Sequence, residues 1–159
     1  WQLTATEIIK KIKNKEISVR ESVDSAINRS EEVNPNINAV VASMGSAALE
    51  RADSLDKKIK NGQDLGILGG VPVTVKVNVD QVDYATTNGL KIQKDLVATQ
   101  NNPVISNLEK AGAIIIGRTN TPAFSLLDRF IRLIAATLLR PFLEPVLWTR
   151  FRILLSSVS

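Results

Sequence analysis

Residues 70–80 read GVPVTVKVNVD, and the alternation in this stretch decides the fold. Val71, Val73, Val75, Val77 and Val79 alternate with Pro72, Thr74, Lys76, Asn78 and Asp80. A period of two over β-branched residues is the pattern of a half-buried strand. One face is all valine and belongs in a core. The other is a polar row with the Lys76 ammonium at its centre. A lysine fixed on a rigid strand can serve as a proton-transfer group where desolvation lowers its pKa. The competing reading is a solvated strand face guarded by a lysine, which is the commoner arrangement for a strand taken alone.

Working outward, Gly66, Gly69 and Gly70 lead into this strand. They form neither a dinucleotide nor a P-loop fingerprint, because those glycines lie between a strand and the helix after it. Downstream, YATTNG (84–89) is a loop with a turn signal at Asn88-Gly89. Asn102-Pro103 opens a helix through Leu108 and Lys110, with proline at the favoured first position, and Gly112 ends it. Residues 113–116 are a fully apolar strand, and 117–122 (GRTNTP) read as a loop. Strand, helical connection, strand is a β-α-β crossover, which implies parallel strands with helices on the sheet faces.

Upstream the chain reads as helices. Thr4 with Glu7 and Ser18 with Glu21 are capping-box patterns. Ile8, Ile9 and Ile12 give the first helix an apolar stripe; Val19, Val23, Ala26 and Ile27 do so for the second. Lys10, Lys11, Lys13 and Lys15 gather toward the C-terminal turns of the first helix, where cations suit the dipole, and read as a solvated face. The second helix is expected to stop before Asn34-Pro35-Asn36. Residues 37–43 contain a short buried strand candidate. Residues 47–60 read as a helix with Leu49, Ala52, Leu55 and Ile59 on one side, closed by Asn61-Gly62.

The 159 residues suggest one domain, and 44% apolar with 23% charged residues fits a globular chain. With no cysteine and no histidine, disulfides, thiolate or imidazole metal sites and any serine–histidine triad are excluded. A hydrolytic base must then be a lysine or a carboxylate. The net charge of +4 is too mild to argue for nucleic acid. Asp80 and Asp83 lack further ligands for a metal, and no cofactor is implied. No apolar stretch of transmembrane length and no signal-peptide pattern occur, which makes a cytoplasmic location the default.

From about Leu126 the character changes. All lysines and all 8 glycines lie before it; beyond it the basic residues are only arginines, Arg129, Arg132, Arg140, Arg150 and Arg152, among many leucines. Residues 1–125 and 126–159 therefore read as separate regions. The second is a helical or disordered tail with three competing accounts: a basic amphipathic membrane-surface helix, a core helix pair broken at Pro141 and Pro145, or a segment read out of frame. The composition break favours the last.

Three stretches resemble the amidase signature family. LTATEIIKKIKNKEISVRESVDSAINRSEEVNPNINAVV (3–41) is similar to its N-terminal helices. LGGVPVTVKVNVDQ (68–81) with YATTNG is similar to the strand and loop bearing its catalytic lysine. NNPVISNLEKAGAIIIGRTNTPAFS (101–125) is similar to the helix, strand and G-x-T-N loop that follow. The resemblance implies an α/β fold, namely the N-terminal part of a mixed sheet flanked by helices. It implies hydrolysis of small-molecule carboxamides by a serine–cis-serine–lysine triad, with Lys76 in the lysine position. A variant within the family is the transfer-RNA-dependent amidotransferase subunit, where aspartate is expected after the lysine; here Val77 follows. The family's bridging serine lies in a glycine- and serine-rich segment downstream, yet no glycine follows Gly117. Ser156-Ser157 lack flanking glycines, and neither they nor Ser125 receives a role. The expectation is a truncated amidase lacking both serines, inactive as written. The alternative from another class is a non-catalytic membrane-surface or protein-interaction module using the basic tail. Substrate identity and oligomeric state stay open.

Overall fold

The computed structural model describes residues 1–125, except for the Phe124 side chain. The chain divides into two compact units, 1–121 and 122–159. Of the second, only Pro122 and a 3-10 turn at Ala123–Ser125 fall within the described residues. All three accounts of the tail, and Ser156-Ser157, lie outside them.

Local sequence sets the first helices. Helix α1 (Ala5–Lys13) starts at a complete capping box, the Thr4 hydroxyl accepting from Glu7 N and the Glu7 carboxylate accepting from Thr4 N. Helix α2 (Val19–Ile37) repeats this with Ser18 and Glu21. Two further α2 amides at this end, Val19 and Arg20, donate to the Asp56 carboxylate at 2.9 and 3.0 Å. Asp56 belongs to helix α3 (Gly45–Lys60), so a tertiary cap ties the two helices together.

Strands β1 (Val40–Ser43), β2 (Pro72–Lys76) and β3 (Ile114–Thr119) form a sheet in the order β1-β3-β2. β2 runs parallel to β3, as the crossover through helix α4 (Pro103–Lys110) predicts, and β1 runs antiparallel to β3. The sheet is therefore mixed. Its central strand is covered on both faces. Ile114 packs into a cluster with Ile12, Val19, Val23, Ala52 and Leu55 from α1–α3. Ile115 packs with Val75, Met44 and Ile105 of α4. This double cover is what an apolar parallel strand requires. Register is fixed just before the two parallel strands. Gly70 N donates to Gly112 O at 3.0 Å, and Ile114 N donates to Val71 O at 2.9 Å. Gly70 and Gly112 have φ of +80° and +91°; a Cβ at Gly112 would collide with the Leu65 carbonyl, and one at Gly70 with Ile12.

Three expectations require correction. Helix α2 does not stop before Asn34; it runs through Pro35 to Ile37 and ends at Asn38, whose φ of 47° is left-handed. Asn34 makes this possible by bonding the Val40 backbone twice, donating to its carbonyl and accepting from its amide, each at 2.8 Å. The strand expected in 37–43 shortens to β1 and is not buried: it is a sheet edge, with Val41 47% exposed. Finally, Gly117, Arg118 and Thr119 continue β3 instead of opening a loop. Gly117 sits where a Cβ would press on Val40, so a glycine here marks close approach of β1 and not a chain break.

Candidate active-site edge

The strand expected across residues 71–80 is shorter, ending at Lys76, and of its valine face Val73 and Val79 are only half-buried. Val71, Val75 and Val77 are buried; Thr74, Lys76, Asn78 and Asp80 are exposed. Lys76 is the last residue of β2, and it pairs in register with Thr119, the last residue of β3. The lysine thus stands at the C-terminal edge of two parallel strands, the edge where open α/β sheets bind ligands. Among the described residues, no hydrogen bond or ion pair reaches its ammonium, and its side chain is exposed. Thr119 and Asn120 share this edge: the Thr119 hydroxyl lies 3.5 Å from Val75 O, and Asn120 N donates to Ala39 O at 2.8 Å.

Beyond β2 the chain turns at once. Val77 N donates to Thr119 O, and Val79 N donates back to Lys76 O, both at 3.0 Å. The following loop is held by Asn102 N donating to Asp80 O at 2.9 Å, by Val82 N donating to Asn101 Oδ1 at 2.8 Å, and by Thr86 N donating to Leu96 O at 2.7 Å. At its far end Asn88 and Gly89 both take positive φ, the expected turn.

One residue of this edge escaped the sequence reading. Arg118 is only 1% exposed. Its Nη2 donates to Val79 O at 2.6 Å and its Nη1 to Ala85 O at 3.1 Å, and the guanidinium lies 5.9 Å from the Tyr84 ring centre. Burial pushes the guanidinium down from its ordinary value, opposed by the field of Asp80 and then of Tyr84. A loop assignment for 117–122 hid it. The signal available was the β-branched Thr119 two residues past Gly117, in phase to extend the isoleucine strand. Beside it an open cleft of about 370 Å³ is lined by Val41, Val77, Tyr84, Leu90, Lys91 and Lys94, among others; Lys76 is not one of them.

The sequence model of the amidase family matches residues 21–128. The chain is 44% identical over 125 residues to an indoleacetamide hydrolase of Bradyrhizobium diazoefficiens, covering 79% of this chain and 24% of that protein. It is 37% identical over 126 residues to a glutamyl-tRNA(Gln) amidotransferase subunit of Carboxydothermus hydrogenoformans, covering 79% of this chain and 26% of that one. Its structure matches that of a bacterial aryl acylamidase of the amidase signature enzymes with a TM-score of 0.72 and 31% identity, over 77% of this chain and 26% of that one. The chain spans about a quarter of the length of the curated relatives it matches. No helix among the described residues is long and apolar enough to cross a membrane.

Proposed function

This chain belongs to the amidase signature family, and from that membership we propose that Lys76 is the proton acceptor of a carboxamide-hydrolysing site. The observation that carries the reading is the position of Lys76: a lysine without a partner among the described residues, at the C-terminal end of a parallel strand. In the proposed chemistry the neutral amine takes a proton from a bridging serine, which activates a second serine to attack the amide carbonyl. An ammonium in water holds its proton at neutral pH, and desolvation is what releases it. Lys76 is exposed along this edge. Residues 1–125 are then the lysine-bearing part of the domain, and 126–159 a separate region.

The greater identity to the indoleacetamide hydrolase than to the amidotransferase subunit supports a free carboxamide substrate over a transfer-RNA-bound one. Val77 after the lysine supports the same choice. The test is a chimera in which residues 1–125 replace the matching quarter of the indoleacetamide hydrolase. Hydrolysis of indoleacetamide is expected to survive the exchange and to fall by about 10³-fold or more with Lys76→Ala. Turnover by the folded chimera that is indifferent to Lys76→Ala overturns the assignment. The 159-residue chain by itself is expected to give no turnover, since it holds no glycine- and serine-rich segment after Lys76.

A further inference from the structure

We propose that Arg118 is a positioning residue for Lys76, acting through the backbone of the turn that follows β2. The proposal rests on the reading of Lys76 as a proton acceptor for its functional meaning, but its geometry stands apart from that reading. Arg118 lies opposite Val75 in the β2–β3 register, one residue before the lysine. From there its guanidinium reaches past the strand end to the Val79 carbonyl, while Val79 N–H is bonded to the Lys76 carbonyl. Val79 is thus held from both sides, and the carbonyl of Lys76 is held with it. The second arm of the fork takes Ala85 O, six residues further on, and so closes the loop against β3. Tyr84 stands beside the same guanidinium.

Electrostatics argues that this is more than space filling. Among the described residues no carboxylate forms an ion pair with Arg118, although it is buried. A buried cation without a carboxylate costs stability, and an apolar side chain of similar volume would fill the site without that cost. What the guanidinium alone supplies is a planar fork that binds two carbonyls at once. Asn78 and Lys76 are both exposed and add no side-chain hydrogen bond to the turn among the described residues; its other ties are backbone bonds, Val77 N to Thr119 O and Asn102 N to Asp80 O. Without the fork, Val79 keeps its bond to the Lys76 carbonyl but loses the brace on its own carbonyl, and the backbone at the strand end is held less firmly.

The experiment is amide hydrogen exchange by NMR on the full 159-residue chain, comparing the wild type with Arg118→Met and Arg118→Lys. With Arg118→Met, the Val79 and Thr86 amides are expected to exchange roughly tenfold faster or more, while Val23 and Ala52 in the helices keep their rates. The Lys76 side-chain resonances are expected to move with them. Arg118→Lys, whose ammonium lacks the planar fork, should restore part of the protection. Unchanged Val79 protection, or loss spread evenly over α2 and α3, overturns the proposal and leaves Arg118 as core filler. Should the variants fail to fold, the wild type still decides. Arg118 Nη protons are expected to exchange far more slowly than those of exposed Arg51; equal rates overturn the proposal. If the clamp is seen here while the chimera ignores Lys76→Ala, the positioning stands and the proton-acceptor reading falls; the converse pair of results sinks the clamp alone.

Discussion

The two faces of β3 are built differently. Ile114 faces three helices, of which α1 and α2 start at capping boxes and α2 is capped again by Asp56 of α3. Ile115 faces a smaller cluster with α4, and from that side the chain continues into the loop held by Arg118. The buried side-chain atoms lacking a protein partner among the described residues, Gln81 Oε1, Thr86 Oγ1 and Arg118 Nε, all belong to this second region. The contrast teaches where the molecule keeps its stability and where it keeps polar groups in reserve. A helix layer closed by local bonds can carry a sheet edge whose polar atoms are not all satisfied.

The contrast can be broken by truncating each face. Ile114→Ala, at 1% exposure, is expected to cost about 4 kcal/mol; Ile115→Ala, at 6%, about 2 kcal/mol. Urea unfolding of both variants checks this, and the reverse order would put the main core on the α4 side. A smaller effect sharpens the account of the helix face. Asp56→Ala removes the acceptor of two α2 amides and should lower stability by about 1–2 kcal/mol, whereas Asp53→Ala, which loses only a surface pair with Arg20, should cost under about 1 kcal/mol. Equal losses would mean that the Asp56 cap adds nothing beyond surface charge.

The smallest effect concerns pH. The Glu7 and Glu21 carboxyls lie below the ordinary glutamate value, chiefly because the Thr4 and Ser18 backbone amides donate to them and then because the hydroxyls do. Their contribution is complete above the unfolded value near ~4.3 and is lost as pH falls through the lowered folded value. The thermal unfolding midpoint should therefore fall as pH drops below about 5, and the double variant Glu7→Gln, Glu21→Gln should flatten part of that slope. An unchanged slope would show that the boxes, though formed, carry no pH dependence of their own.

Much of the fold was legible because it is local. A capping box needs residues three apart, and the alternation through Val75 and Lys76 needs only neighbours, so both could be read directly. The errors fell where bonds beyond the local period decide. Pro35 stays within α2 because Asn34 bonds Val40, and Gly117 stays within β3 because β1 lies against it. At the site, Lys76 was visible as a polar residue at a fixed phase of a strand. Arg118 was not, since its two acceptors, Val79 and Ala85, come from more than thirty residues away in sequence.

By itself, then, the sequence determined most element types, the capped starts of α1, α2 and α4, the parallel crossover and the lysine's side of its strand, all of which follow from backbone periods and nearest neighbours. Only the tertiary structure decided the strand order β1-β3-β2, the tie between α2 and α3 through Asp56, and the burial of Arg118. The physical reason is reach: a period is written into adjacent residues, whereas a hydrogen bond between segments depends on where the whole chain has brought its donors and acceptors.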